Sequence, residues 1–391
     1  MLALCDGRVF TGEETLEGHC VLIEAGRIAA LVPESAVPPA TPRHSLGGRL
    51  LAPGFLDAQV NGGGGVLFGE APGWEGLLAL SRAHRRFGTT GLLPTLISAD
   101  RATLRAALAL VRRALAEPPA PGAARVLGLH VEGPFLSPAR RGCHEPSRLR
   151  RLEAEDLELL TSLRGGRTLV TLAPEAVPAG TVRRLSEAGV LVAAGHTQAS
   201  YEEVQAALRE GLRGFTHLWN AMPPLASREP GVVGAALGDP ASFCGIIADG
   251  LHVHPASLLV ALAAKPRGRV FLVTDAMPPV GSPGMESFRL GAEEIRVAGG
   301  RCTSADGTLA GSALDMASAV RNAVALLGLP LEEALRMAST TPAAFLGLAG
   351  ELGRIAPGLR ADLVLLDEGL RVRETWVGGV AAGDGALLSP G

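Results

Sequence analysis

The sequence lacks several features that mark large classes of proteins. Only 4% of its 391 residues are aromatic and its net charge is −3, so it offers neither stacking platforms nor a basic surface for nucleic acid. No apolar run approaches the length of a membrane span, and charged residues such as Asp6, Arg8 and Glu13 stand where a signal peptide has its apolar core. These absences predict a cytoplasmic protein whose partners are small molecules, with no nucleic acid and no membrane among them.

Cysteine and lysine are also scarce. The five cysteines form an odd set without a CxxC pair, which indicates neither a disulfide framework nor a zinc–thiolate site and fits a reducing compartment. Lys265 is the only lysine among 36 basic residues. Any catalytic chemistry that depends on a lysine therefore has a single candidate.

What the chain does contain is an alternation of short apolar runs with segments of helical composition. Eight runs are strand candidates, at 50–60, 90–96, 126–132, 168–174, 190–196, 214–220, 243–249 and 270–275. Segments rich in Ala, Leu, Arg and Glu lie between them, including 77–87, 101–116, 200–209 and 255–264, and Asp100 and Ser200 are N-cap candidates. This alternation is typical of a parallel sheet, and eight units predict an α/β protein with a closed (β/α)8 TIM-type barrel.

The two ends of the chain have a different character. Residues 1–52 and 354–391 consist of short strand-like runs with turns, whereas 53–353 holds the barrel pattern. Because both ends flank the barrel, we expect them to meet as one small β-sandwich domain. Residues 287–308 form a further strand-like, turn-rich insertion after the eighth strand.

Polar side chains terminate most of the barrel strands. Catalytic groups in a βα barrel lie at the carboxyl ends of the strands, where this sequence places Glu132, His196 and His217. One carboxylate and two imidazoles are a ligand set of catalytic zinc sites that leave a fourth position open. Asp275, which ends the eighth strand, is the candidate for proton transfer to and from the reacting groups.

Long motifs along the chain resemble the N-acetylglucosamine-6-phosphate deacetylases of the amidohydrolase superfamily. They are PGFLDAQVNGGGG (53–65), GLHVEGPFLSPARRGCH (128–144), TLAPE (171–175), AGHTQAS (194–200), THLWNAMPPLASREPGVVGAAL (216–237), IIADGLHVHP (246–255), LVTDAMPPVG (272–281), GTLAGSALDMASAVRN (307–322) and GRIAPGLRADLVLLD (353–367). The resemblance covers nearly the whole chain. It implies hydrolysis of N-acetyl-D-glucosamine 6-phosphate to D-glucosamine 6-phosphate and acetate in amino-sugar catabolism.

The resemblance also implies roles for individual residues. Glu132, His196 and His217 match metal ligands, Asp275 matches the proton-transfer aspartate, and His144 matches a catalytic residue that orients or polarises the acetamido carbonyl. The implied substrate-binding set is Cys143, His144, Asn220, Ala221, Arg228, His252, Leu309, Ala310 and Gly311. The family resemblance further suggests a homodimer in which loops of one barrel help to close the neighbouring site.

Two departures from the wider superfamily bear on the metal. Gln59 and Asn61 stand where many members have a His-x-His pair for a second metal, so we expect one divalent ion per chain, with Zn²⁺ as the expected ion. We expect His130 to lie beside the ligands and not to bind the metal itself. Lys265 precedes the eighth strand, at the wrong end of the barrel for a metal-bridging lysine, which disfavours dihydroorotase-like chemistry. N-acetylgalactosamine 6-phosphate as substrate and a non-catalytic scaffold are the alternatives.

Overall fold

The computed structural model describes residues 1–70 and 72–382, so residues 383–391 of the predicted terminal segment 354–391 lie outside it. The strands are β1 (Leu2–Cys5), β2 (Arg8–Phe10), β3 (Thr15–Leu16), β4 (His19–Glu24), β5 (Arg27–Pro33), β6 (Arg43–Ser45), β7 (Leu50–Pro53), β8 (Phe55–Val60), β9 (Gly62–Gly63), β10 (Val66–Leu67), β11 (Thr89–Ile97), β12 (Arg125–Val126), β13 (Gly128–Glu132), β14 (Arg167–Leu172), β15 (Leu191–Ala194), β16 (Gly214–Phe215), β17 (Phe243–Ile246), β18 (Val270–Leu272), β19 (Ser287–Leu290), β20 (Glu293–Ala298), β21 (Arg301–Thr303), β22 (Leu309–Ser312), β23 (Leu363–Leu366), β24 (Val372–Val377) and β25 (Val380–Ala381). The α-helices are α1 (Trp74–Arg85), α2 (Arg101–Ala116), α3 (Ala154–Leu160), α4 (Thr181–Glu187), α5 (Tyr201–Arg209), α6 (Gly231–Gly238), α7 (Pro255–Ala264), α8 (Met316–Ala325), α9 (Leu331–Ala338) and α10 (Thr340–Phe345).

Eight parallel strands form the predicted barrel. They run in the order β8, β11, β13, β14, β15, β16, β17 and β18, with the short β12 as an extra strand on β11. The first and last strands meet through a parallel bridge between Val60 and Ala276 and through a hydrogen bond from the Asp275 amide to the Gln59 carbonyl, 3.1 Å long. The expected TIM-type architecture is confirmed, and the seam between β8 and β18 lies beside the residues predicted to react.

Helices cover the outside of the barrel, and local sequence explains where they begin. In α2 the buried residues are Leu104, Ala107, Leu108 and Val111, the spacing of one helical face, and the Asp100 side chain accepts a hydrogen bond from the Thr103 amide. Ser200 and Glu203 form a capping box at the start of α5. None of the helices in the described part of the chain is long and apolar enough to cross a membrane.

Strands from both ends of the chain share one sheet, as predicted for the small domain. Its order is β25, β24, β23, β7, β2 and β3, and a second sheet runs β5, β4, β1, β6. The apolar run 50–60, expected as one strand, is divided at Gly54 between this sheet and the barrel. A Cβ atom at Gly54 would lie 2.1 Å from the Thr90 hydroxyl, so only glycine allows the chain to cross there.

Cys5 and Cys20 are joined by a disulfide, which corrects the interpretation that no disulfide was indicated. The antiparallel pairing of β1 with β4 places Leu4 opposite Val21, and therefore brings the two cysteines face to face one residue further along. Their Cα atoms are 4.5 Å apart. A pair on neighbouring strands leaves no short sequence motif, so spacing could not reveal it. The cytoplasmic location stays a prediction.

The insertion after the eighth strand folds as a four-stranded antiparallel sheet in the order β19, β20, β21 and β22. Phe288, Ile295 and Cys302 form its small core together with Met277, which follows the barrel strand β18. This packing brings Leu309 and Gly311, at the end of the insertion, to the mouth of the barrel.

Candidate metal centre

The three predicted ligands meet at the carboxyl end of the barrel. Glu132 is the last residue of β13, and His196 and His217 follow β15 and β16 by two residues each. His217 Nε2 lies 3.1 Å from Glu132 Oε1 and 3.0 Å from His196 Nε2, while His196 Nε2 lies 3.4 Å from the same carboxylate oxygen. All three side chains are buried. The sequence therefore brings three metal-binding atoms to one point.

The backbone at these positions is held in an unfavourable conformation. His196 has a φ of 50° and His217 a φ of 32°, and Asp275 has a φ of 52°. Residues with a side chain rarely occupy this left-handed region, and they persist there only where the surrounding structure holds them. The surrounding structure therefore holds the backbone of all three residues in place.

Hydrogen bonding at the ligands indicates that a cation fits between them. His196 Nδ1 lies 2.9 Å from the Arg140 carbonyl and so must donate to it, which leaves an unprotonated Nε2 facing His217 and Glu132. Burial alone would raise the pKa of Glu132, but its close contacts with the His196 and His217 rings outweigh burial and lower that pKa well below its usual range. A carboxylate and imidazole lone pairs in a water-poor pocket are the donor set of a divalent metal.

Asp275 lies beside this ligand set and is held by two amide side chains. Its Oδ1 accepts hydrogen bonds from Gln59 Nε2 at 3.0 Å and from Asn61 Nδ2 at 2.6 Å. Gln59 Nε2 also donates to Glu132 Oε1, at 3.1 Å. Burial, followed by the charge of Glu132, raises the pKa of Asp275. Gln59 and Asn61 thus donate hydrogen bonds where a second metal would need electron-pair donors.

His144 stands on the other side of His196, with ring centroids 4.5 Å apart. Its Nδ1 contacts Ser98, whose hydroxyl oxygen is 2.7 Å away and whose amide nitrogen is 3.4 Å away. Burial lowers the pKa of His144 to about 3, so the ring is neutral at neutral pH. Burial also raises the pKa of the neighbouring Cys143 to about 12, which makes that thiol a wall of the cavity rather than a nucleophile.

His130 lies near the ligands but points away from their meeting point. Its Nδ1 lies 3.2 Å from the Thr95 hydroxyl and its Nε2 lies 2.8 Å from the Thr171 hydroxyl. Burial lowers its pKa to about 4. Both ring nitrogens are engaged by threonines, which fits a supporting position and not metal ligation.

The ligands open into a cavity of about 480 Å³ at the barrel mouth. The residues of the sequence prediction that line it are Asn61, Glu132, Cys143, His144, His196, His217, Asn220, Ala221, His252, Asp275, Leu309 and Gly311. Gln59, His130 and Ala310 are buried behind its wall. Arg228 is exposed and lies outside the lining.

His252 reaches the cavity from the loop after β17. Its Nδ1 lies 2.6 Å from Asp249 Oδ2, while its Nε2 is buried and has no partner within residues 1–70 and 72–382. Asp249 also accepts hydrogen bonds from the amides of Leu251 and His252. An unpartnered nitrogen at the wall of this cavity is suited to a polar group of a ligand.

Two supporting residues, Ser98 and Asp249, were not assigned roles from the sequence. Both terminate barrel strands, since Ser98 follows β11 and Asp249 follows β17 by three residues. The strand-end rule that selected Glu132 and Asp275 would have found Ser98 as well. The contacts of each with a histidine could not be read from spacing.

Comparisons with known proteins match nearly the whole chain and agree with the family resemblance of the sequence motifs. A model of the amidohydrolase family matches residues 50–382, and one described as the NagA composite domain matches residues 1–51. An N-acetylgalactosamine-6-phosphate deacetylase of Shewanella sp. (strain ANA-3) is 42% identical, with 97% of this chain and 95% of that protein covered. An N-acetylglucosamine-6-phosphate deacetylase of Haemophilus influenzae is 34% identical over 96% of this chain and 98% of that protein. The crystal structure of the N-acetylglucosamine-6-phosphate deacetylase from Pasteurella multocida superimposes with a TM-score of 0.93 at 33% identity, covering 97% of this chain and 99% of that one.

Proposed function

Because this chain belongs to the amidohydrolase family, we propose that it is a metal-dependent deacetylase of N-acetyl-D-glucosamine 6-phosphate. The products would be D-glucosamine 6-phosphate and acetate. The observation that carries the proposal is the meeting of Glu132, His196 and His217 beside Asp275 in one cavity. Relatives that carry this activity in their names match almost the entire chain.

Glu132, His196 and His217 are the residues that would hold the metal, with one ion per chain and Zn²⁺ as the ion that suits one carboxylate and two imidazoles. When bound, such an ion makes water a strong nucleophile at neutral pH and polarises the amide carbonyl. The Arg140 carbonyl fixes the ring of His196 so that Nε2 faces Glu132 and His217, where an ion would be held.

Asp275 would move the proton. Gln59 and Asn61 both donate to its Oδ1, and this leaves Oδ2 as the oxygen that takes a proton from the attacking water. The same oxygen then returns the proton to the amine nitrogen as the C–N bond of the acetamide breaks. A raised pKa suits this role, because the group must both accept and release a proton near neutral pH.

His144 would orient the acetyl group. The ring is neutral and lines the cavity next to His196, so it can donate a hydrogen bond to the acetamido oxygen without transferring a proton. Leu309 and Gly311 also line the cavity, while Ala310 between them is fully buried.

Asn220, Ala221 and His252 would hold the sugar phosphate. His252 offers its unpartnered Nε2, although the Asn220 side chain already donates to the His217 carbonyl at 3.1 Å. Arg228 supplies the bidentate fork that suits phosphate, yet it is exposed and outside the cavity. We therefore place Arg228 at the site of a second copy, in the homodimer that the family resemblance suggests.

The second candidate substrate is N-acetylgalactosamine 6-phosphate. Proteins named for that activity are 42% identical in Shewanella sp. (strain ANA-3) and 39% identical in Escherichia coli O157:H7. The two sugars differ in the configuration of one hydroxyl group, and both carry the phosphate and the acetamide.

One experiment tests both candidates. Purified protein is assayed for acetate release from each phosphorylated sugar, and the metal content is measured on the same sample. A higher kcat/KM for the glucosamine derivative supports the first proposal, and a higher value for the galactosamine derivative replaces it by the second. Release from neither sugar by metal-loaded protein contradicts the deacetylase proposal.

A further inference from the structure

We propose that Ser98 is a positioning residue that holds His144 with its ring proton on Nε2, where it faces the acetyl group. The inference deepens the proposed function and rests on it for the role of His144. It assigns to the end of β11 a part in the reaction that comes from hydrogen bonding alone. Ser98 itself does not touch the metal ligands or the reacting atoms.

The direction of the hydrogen bonds sets the tautomer. A backbone N–H can only donate, so the contact from the Ser98 amide to His144 Nδ1 requires that nitrogen to be unprotonated. The Ser98 hydroxyl, 2.7 Å from the same atom, can then donate its proton to it. A neutral imidazole with a bare Nδ1 carries its hydrogen on Nε2.

The free edge of the ring faces the catalytic cavity. His144 Nε2 makes no hydrogen bond within the described ranges, and His144 is part of the cavity wall. Ser98 reaches the ring at Nδ1 and lines a neighbouring cavity of about 410 Å³, to whose wall His144 also contributes. The donor on Nε2 is therefore available to a substrate carbonyl, whereas the other tautomer would present an acceptor to it and repel it.

Ser98 is itself held rigidly. The residue before it, Ile97, pairs directly with Glu132 in the parallel ladder between β11 and β13. Two residues after it, Asp100 caps α2. A Cβ at Gly133 would lie 2.4 Å from the Ser98 hydroxyl, so the glycine next to the metal ligand leaves room for this side chain. The hydroxyl thus has a fixed position relative to both the ligand set and the ring of His144.

The test compares Ser98→Ala with Ser98→Thr, which keeps a hydroxyl. Ser98→Ala removes the hydroxyl contact to His144 and keeps the amide contact. We expect kcat to fall by about 10- to 100-fold, the order of magnitude known for hydrogen-bond partners of metal-ligating histidines. KM and metal content should stay close to those of the wild type, and Ser98→Thr should restore most of kcat. Ser81→Ala is the matched control, because it removes another buried serine hydroxyl, on α1 and away from the site.

A double-mutant cycle separates positioning from general damage to the fold. If Ser98 acts through His144, then Ser98→Ala adds no further loss to His144→Gln. Full additivity of the two losses, or a wild-type kcat in Ser98→Ala, overturns the proposal. Ser98→Cys, with a weaker donor of similar size, replaces the alanine variant in the same cycle if that variant does not fold.

The tautomer can be measured without any turnover. Nitrogen-15 NMR of the metal-loaded protein with labelled histidine should show an unprotonated Nδ1 for the ring whose signal disappears in His144→Gln. A protonated Nδ1 for that ring contradicts the inference. Because this readout needs no substrate, it tests Ser98 even if the protein releases acetate from neither sugar, the result that would refute the proposed function alone.

Discussion

Asp275 is the residue whose replacement separates chemistry from binding. Asp275→Asn removes the proton acceptor while Glu132, His196 and His217 remain, so the metal should stay bound. We expect kcat to fall by about two to four orders of magnitude, following typical general acid–base contributions. Steady-state kinetics and elemental analysis of the same preparation check this, with His196→Ala as the variant that should lose metal and activity together. Near-normal turnover of Asp275→Asn would assign the proton transfer to another group.

The amides of Gln59 and Asn61 predict how many metal ions the chain binds. Both donate hydrogen bonds to Asp275, and Gln59 donates to Glu132 as well. The amide N–H groups of Gln59 and Asn61 face two carboxylates and offset part of their negative charge, as a second cation would otherwise do. We therefore expect about one divalent ion per chain at full activity. Elemental analysis during titration of chelated protein with Zn²⁺ measures this. Activity that reaches its maximum only at two ions per chain would contradict it.

The candidate site residues could be selected from sequence, because a parallel barrel brings the carboxyl ends of all its strands to one face. Glu132, His196, His217 and Asp275 all lie where that rule placed them. Ser98 was missed, and Asp249 received no role, because neither the contact of Ser98 with His144, 46 residues away in the sequence, nor that of Asp249 with His252 leaves a sequence motif. Such contacts depend on side-chain direction, which spacing does not report.

At the scale of elements, an ion cluster joins α2 to α3. Asp156 accepts hydrogen bonds from Arg101 on α2 at 3.0 Å and from Arg150 at 2.6 and 2.7 Å. Burial alone would raise the pKa of Asp156, but the two arginines outweigh it and lower the pKa to about 2. Since the ordinary value in an unfolded chain is about 3.9, ionisation of Asp156 favours the folded state.

We expect Asp156→Asn to lower the free energy of unfolding by about 2 kcal/mol at pH 7. A lowered folded-state pKa contributes stability above the unfolded value, and that contribution is lost as the pH falls from about 4 towards 2. Urea unfolding of wild type and variant across this range gives the measurement, and Glu158→Gln, an exposed carboxylate on the same helix, is the control. An equal effect of both substitutions at pH 7 would show that the cluster adds nothing specific.

The ends of helices and strands could be predicted where local sequence signals set them. They could not be predicted where residues of the cavity interrupt a strand. The bounds 101–116 agree with α2 because the Asp100 cap and the buried face are local signals. The run expected at 214–220 is a strand only over Gly214–Phe215, because His217 leaves the ladder to reach the metal site. Likewise Gly54 divides one apolar run between two sheets. A strand ends earlier than its apolar pattern where its last residues serve the cavity.

At the scale of the whole molecule, the phosphate should dominate substrate choice. Charge-assisted hydrogen bonds contribute about 1.5 to 3 kcal/mol each, so several of them should make kcat/KM for plain N-acetylglucosamine lower by at least about 100-fold. Arg228→Ala should reduce that preference and leave the unphosphorylated sugar nearly unchanged. Kinetics of both substrates on both proteins measure the difference. Equal slowing of the two sugars would remove Arg228 from the phosphate site.

The position of Arg228 outside the cavity leads to a prediction about two copies. Co-expressed chains carrying Arg228→Ala and Asp275→Asn should form mixed dimers with one complete site, since the second chain supplies Arg228 to the first. Differently tagged chains allow the mixed dimer to be purified and assayed. We expect about half the wild-type activity on the phosphorylated sugar. Activity no higher than that of the two parent variants would mean that Arg228 acts within its own chain.

The seam that closes the barrel carries one more consequence. The ends of strands β8 and β18 are joined by main-chain hydrogen bonds that link Gln59 and Asn61 with Asp275 and Ala276. The contacts that close the barrel therefore include Asp275, the residue proposed to move the proton. Closure of the barrel and the geometry of the candidate site therefore depend on the same few peptide groups, and a change at one of them alters both. Leu309 lines the mouth from the inserted sheet and is the better place for a change of substrate choice, whereas a side chain at Gly311 would collide with Met277 and with the main chain of Asp275.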